Sequence, residues 1–155
     1  MLKGYAYGSG LWLAVSLAVM ATAPAIARVG DAATTLAPLP ADRAAIAAIA
    51  RKAAEKEIGK PLKLDIRSLR TRDGWAFLFS NMVDGRGEPL SLQGTRFAGA
   101  ATEGQASRVY CALLQRRGDR WRIVASCIAV TDVAWTNWAE KYGAPPAIFD
   151  LKDID

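Results

Sequence analysis

Cys111 and Cys127 are the chain's only two cysteines, and its 155 residues include no histidine. Without histidine there is no imidazole for Ser-His-Asp or Cys-His catalysis, and most zinc geometries lose a ligand. The cysteines are too far apart for a C-x-x-C redox pair, and no histidine stands by to activate a thiolate. A carboxylate pair could still do acid–base work, and by type Asp65, Asp84, Glu88, Glu103 and Asp132 are the candidates. No spacing forces two of these together. Asp84 and Glu88 share one segment, where they read as solvated loop charges. The stretch GTRFAGAATEG lacks the G-K-[ST] of a phosphate loop and does not lead from a strand straight into a helix, so it reads as a flexible loop. No metal and no cofactor is expected.

The cysteines frame CALLQRRGDRWRIVASC, with Arg117-Gly118-Asp119 near its middle. Hydrophobic β-type runs flank that tripeptide, so it reads as the bend of a hairpin and not as a displayed adhesion motif. A three-residue loop, Gly118 to Arg120, pairs Arg117 with Trp121, Gln115 with Ile123, Leu113 with Ala125, and Cys111 with Cys127. That register places the sulfurs across from each other, where a disulfide needs only slight tightening of normal cross-strand spacing. A two-residue loop shifts the pairing by one and separates them, so the expected bond depends on loop length.

The elements that must position these groups follow from patterning. ADRAAIAAIARKAAEKEIGKP is alanine-rich, with Pro40 at a first helical position, Gly59 as a C-terminal cap and Pro61 as a block. Ile46, Ile49, Ala50 and Ala53 give this helix a thin apolar face suited to lying close on a sheet. LKLDIRSLRT alternates like a half-exposed strand, and Asp73-Gly74 turns it into WAFLFSNMV, which is apolar enough to be central. Residues 84–106 are Gly-rich and irregular, with a short strand expected at Leu90–Gln93; loops of this length in compact domains are usually functional or mobile. Two further β-type runs follow, Arg108–Arg116 and Trp121–Val130. Thr131-Asp132 offers an N-cap to a last helix that Gly143 ends. Trp135, Trp138, Ala139 and Tyr142 then form one stripe, read as the cover over the sheet; a glycan platform or partner groove is the sharper alternative. The expected fold class is α+β: an N-terminal and a C-terminal helix packed on one face of an antiparallel sheet of about four strands.

Over Arg43–Tyr142 this order resembles the helix-plus-curved-sheet organisation of cystatin-like and NTF2-like proteins. The resemblance is one of architecture, without a shared motif, and it carries no functional residue onto this chain. Such superfamilies include inhibitors, binding modules and a few enzymes.

The N-terminus bears on location. Lys3, the apolar run Leu11–Ala23 and the small residues Ala25-Ile26-Ala27 read as an export signal over 1–27, cleaved after Ala27. The run is short for a membrane span, so no stable membrane anchor is expected after cleavage. Residues 28–40 read as a linker and 41–155 as one α+β domain. Losing Lys3 leaves 19 basic against 15 acidic residues, spread along the chain. That spread favours weak attraction to anionic surfaces and is not a nucleic-acid footprint. The expectation is a periplasmic or secreted, non-catalytic binding or inhibitory module acting on a protein or envelope component. Its candidate binding residues are Arg86, Glu88, Arg96 and Phe97 on the long loop, although Arg96 and Phe97 could equally belong to a sheet-edge strand and serve packing. The alternative is a small NTF2-like enzyme or ligand carrier with a pocket between helix and sheet.

Overall fold

The computed structural model describes residues 37–151. The export signal expected over 1–27 and most of the linker expected over 28–40 lie outside the described residues. Pro40 opens α1 (Pro40–Ile58), whose C-terminus is capped by the Gly59 N–H donating to the Glu55 carbonyl. Four antiparallel strands follow: β1 (Lys63–Arg72), β2 (Trp75–Val83), β3 (Val109–Arg117) and β4 (Arg120–Ile128). Each lies beside its sequence neighbour, in the order β1-β2-β3-β4. The short helix α2 (Ala98–Thr102) interrupts the β2–β3 connection, and α3 (Trp138–Tyr142) and a 3₁₀ turn (Pro146–Phe149) end the domain. The fold is α+β, with one open antiparallel sheet.

Alternation along the central strands builds two cores. Ala76, Leu78 and Met82 of β2, with Tyr110, Ala112 and Leu114 of β3, face α1 and meet Ile46, Ala50, Ala54 and Ile58. Small alanines at the helix contact let it approach closely, as the thin apolar face implied. Phe77 of β2, with Cys111 and Leu113 of β3, points the opposite way, toward Trp135, Trp138 and Ile148. Phe77 and Leu78 are adjacent and both fully buried, so both faces of the sheet are covered. Here the structure corrects the sequence expectation: the two helical segments lie on opposite faces and not on one. A strand apolar on both faces needs a layer on each side, because exposing either row would forfeit its burial.

The first turn follows the rule for two-residue hairpins. Asp73 and Gly74 have φ of 50° and 76°, the left-handed pair that a type I′ turn requires. A bulge at Arg67 then resets the phase of β1, since pairing passes from Ile66–Ser80 to Ser68–Phe79. Leu64 and Ile66 before the bulge and Leu69 after it consequently all pack into the α1-side core.

The second hairpin departs from the expected loop but reaches the expected bond. Arg117 pairs with Arg120 and Arg116 with Trp121, so the turn holds two residues, Gly118 and Asp119. Gly118 takes φ of 64° at the first turn position, where a type II′ turn needs glycine. This pairing would misalign the cysteines, but a bulge intervenes. Leu114 pairs with Ile123 while Leu113 pairs with Ala125, leaving Val124 extra. Beyond it Cys111 pairs with Cys127, and the two form a disulfide with Cα atoms 5.0 Å apart. The same bulge keeps Trp121 and Ile123 on the α1 side while turning Ala125 and Cys127 to the other.

The C-terminal segment also differs from expectation. Helix α3 begins after Asn137, not at Thr131-Asp132, and the intervening residues form successive turns such as Thr136 N–H to the Val133 carbonyl at 3.4 Å. Val133, Thr136 and Asn137 are weak helix formers, while Trp135 and Trp138 both pack on Phe77, with ring centroids 5.7 and 6.2 Å away. Aromatic burial under the sheet outweighs a continuous helix. Gly143 ends α3 as expected. Trp135 and Trp138 are core residues; Tyr142, stacked edge-on against Trp138, is half-buried.

The disulfide closes a separation of 16 residues inside the second core. The double variant Cys111→Ala/Cys127→Ala is expected to lose about 3 kcal/mol of unfolding free energy. Urea denaturation of the oxidised wild-type and variant proteins checks this, and an unchanged midpoint would refute it.

Candidate functional site

The segment between β2 and β3 leaves the sheet through a tight turn. The Asp84 N–H donates to the Glu88 carbonyl at 2.8 Å, and Val83 bridges to Pro89. One Asp84 carboxylate oxygen accepts the backbone N–H groups of Arg86 at 2.8 Å and Glu88 at 3.0 Å. Those two N–H groups, and then the Arg86 charge, hold the Asp84 carboxyl below its ordinary value of 3.8. A lowered carboxyl is the reverse of what a general acid needs. Asp84 and Glu88 are joined through backbone, and their carboxylates are not paired with each other. The remaining carboxylates considered as acid–base candidates are also at the surface: Asp65 lies 3.8 Å from Arg67, and Glu103 and Asp132 are exposed.

Beyond the turn, the strand expected at Leu90–Gln93 does not form. Leu90 and Leu92 instead drop into the α1-side core as buried anchors. Three cations from the scaffold grip the backbone between and around them. Lys63 Nζ donates to the Gly85 carbonyl at 2.7 Å, and Lys60 Nζ donates to the Ser91 carbonyl and to that of Gln93 at 3.3 Å. Arg108 Nε donates to the Leu90 carbonyl at 3.2 Å. Segment 84–93 is therefore tied to its scaffold at four carbonyls, and GTRFAGAATEG, read as a flexible loop, contains the helix α2.

Of the four expected binding residues, Arg86 and Glu88 project from this turn and are exposed. Arg96 is also exposed, but it pairs with Glu57 on α1 and lies over the Phe97 ring, 4.7 Å from the centroid. Phe97 is half-buried and packs on the α1-side core. Neither belongs to a strand: Thr95 precedes them in a turn, with its hydroxyl donating to the Leu92 carbonyl at 2.7 Å, and α2 follows. The structure thus separates the quartet into an outward pair, Arg86 and Glu88, and a pair that ties the loop to α1.

Sequence reasoning did not find what borders the turn. A groove of about 360 Å³ runs beside Gly85, floored by Leu62 and Pro61 and edged by Arg51, Glu55 and Lys63. Arg51 and Glu55 pair at 2.8 Å along α1. These residues come from the helix, from the link that follows it and from the start of β1, and no local pattern in the chain connects them to residues 84–88. Among the described residues, no three His, Cys, Asp or Glu side chains are placed to hold a metal ion. No helix among them is long and apolar enough to cross a membrane.

One buried group stands apart. The Tyr110 hydroxyl is fully buried on the α1 side and makes no hydrogen bond of normal geometry among the described residues, although the Ser126 side chain lies close enough to interact with it. Burial, reinforced by the Glu57 charge and partly offset by Ser126, pushes its pKa up to about 12.

Two outcomes follow. Because the folded Asp84 pKa is depressed, its carboxylate supports the turn at all pH values above 3.8 and is lost only as pH falls through the lower folded value. The protection of the Arg86 and Glu88 amides, taken relative to their intrinsic exchange rates, should therefore hold down to that range, and Asp84→Ala should abolish it. Tyr110→Phe removes an unsatisfied polar atom and should leave stability unchanged or raise it by about 1 kcal/mol, measured in urea; a loss would show that the hydroxyl has a partner. No protein-family model, no curated protein and no solved structure matches this chain.

Proposed function

We propose that this chain is an exported, non-catalytic binding or inhibitory module that engages a protein or cell-envelope component through the 84–106 segment. The observation that carries this reading is the clamped turn. Lys63 holds its backbone at Gly85, and Lys60 and Arg108 hold the residues that follow at Leu90, Ser91 and Gln93, while Arg86 and Glu88 remain exposed beside an open groove. A surface already fixed before contact loses little conformational freedom on binding, which is how loops on rigid scaffolds recognise partners. The buried disulfide is compatible with export into an oxidising compartment.

The second reading, a small NTF2-like enzyme or ligand carrier, draws support from Tyr110, whose buried hydroxyl lies near Glu57 between α1 and the sheet. Ile46, Ala50, Ala54, Leu78 and Leu114 occupy the same interlayer space, and this favours the binding module.

A photo-crosslinker at position 86 of the processed chain tests the proposal in envelope extracts. One specific adduct is expected, competed by unlabelled protein and lost with Glu88→Ala and Arg51→Ala at unchanged thermal midpoint. Adduct formation from position 86 that Glu88→Ala and Arg51→Ala leave unchanged would overturn the assignment of the site.

A further inference from the structure

The opposite end of the sheet carries a different chemistry. A single cross-strand row runs Arg72–Trp75–Gln115–Arg122 through all four strands. These residues share the face that Phe77 and Cys111 occupy further along, but here the C-terminal layer leaves them at least partly open. Arg117 and Arg120, paired beside the two-residue turn, extend the row outward. Arg117 and Arg122 are exposed, and the Arg120 side chain is 80% exposed. On the reverse face Arg116 is held by Asp42 at 3.2 Å and lies over Trp121.

The cations on the two hairpin turns are all arginines. The lysines of the described residues lie off these turns: Lys52 and Lys56 on α1, Lys60 between α1 and β1, Lys63 at the start of β1, and Lys141 on α3, next to the Glu140 that borders Trp75. Arginine presents a planar fork that takes phosphate oxygens two at a time, which a lysine ammonium cannot do. The nearby carboxylates compete weakly: Asp73 lies 3.6 Å from Arg72 and Asp119 lies 3.9 Å from Arg120, both exposed. Glu140 borders Trp75 across an open groove. Trp75 itself is half-buried at the centre of the arginine row, the position in which an indole serves as an interfacial anchor.

The chain also joins the domain at this end. Pro40 opens α1 only two residues before Asp42, which accepts the Trp121 indole N–H at 3.0 Å.

We infer that the hairpin end, Arg72, Trp75, Arg117, Arg120 and Arg122, is a docking surface for anionic phospholipid headgroups. Charge complementarity, arginine in place of lysine and a central tryptophan are the three features that fit a phosphate-bearing membrane surface. The nine-residue strand β2 sets the clamped 84–88 turn about 30 Å away, at the other end of the sheet. A domain resting on lipid by its hairpins would hold that turn away from the membrane. The inference stands independently of the role given to residues 84–106, since none of its residues lies there.

Flotation of the processed chain with vesicles tests it. Binding is expected to vesicles of phosphatidylglycerol with phosphatidylcholine, to be absent with phosphatidylcholine alone, and to fall steeply with salt. Each surface charge removed should weaken binding roughly fivefold, so Arg117→Ala/Arg120→Ala/Arg122→Ala should lose roughly a hundredfold. Lys52→Ala/Lys56→Ala, which alters exposed charges on α1, should bind within a factor of a few of wild type. Trp75 fluorescence, read in a chain whose other tryptophans are replaced by phenylalanine, should shift to the blue on vesicle addition; if that chain does not fold, an acrylodan label at Gln115→Cys reports the same burial. Equal binding to both vesicle types, binding that the triple variant retains, or tighter capture by an oligonucleotide or a soluble acidic polysaccharide would each overturn the inference.

Discussion

The constraint on which this structure rests is the double burial of its central strands. Phe77 and Leu78 are consecutive on β2 and point to opposite faces, yet neither exposes any surface to solvent. Cys111 and Ala112 repeat the pattern on β3. A sheet with two apolar faces is stable only between two layers, so α1 must cover one side and the C-terminal turns the other. The C-terminal layer is short of regular structure and supplies bulk by aromatic side chains. Trp135, Trp138 and Phe149 all surround Phe77, each with ring centroids within 6.2 Å. The disulfide lies in that same core and fastens β3 to β4 where the cover is least regular.

Both bulges serve that constraint. Side chains alternate strictly along a strand, so one extra residue exchanges the faces beyond it. Arg67 and Val124 are the extra residues, one on each edge strand. Without them Leu69 or Cys127 would face the wrong layer. The central strands carry no such break, which fits their role as the template against which the edges adjust.

The two ends of the sheet have been put to different uses. At one, lysines and an arginine donate inward to loop carbonyls and hold an irregular segment still. At the other, arginines point outward from two tight turns. Interior use of a cation satisfies carbonyls that would otherwise lack donors and fixes a surface; exterior use leaves the charge available. The difference lies in the loop lengths, since a two-residue turn has no spare carbonyls to satisfy while a long connection has many.

By itself the sequence determined every element that rests on local chemistry. Pro40 and Gly59 bound α1, Asp73-Gly74 turned β1 into β2, and WAFLFSNMV marked the central strand without displacement, because propensity, caps and alternation act within a few residues. It also placed Arg86 and Glu88 on the long loop, among four candidate binding residues. What tertiary structure alone decided was every matter of phase and distance. The cysteines meet only because Val124 bulges and offsets a turn one residue shorter than the one the pairing assumed. Arg96 is drawn to Glu57, which lies 39 residues earlier in the chain, and the clamping lysines find carbonyls 22, 31 and 33 residues away. The two layers part to opposite faces because aromatic burial beneath the sheet outweighs the intrinsic helicity of residues 131–142. These are competitions between distant groups, and a local pattern carries no term for them.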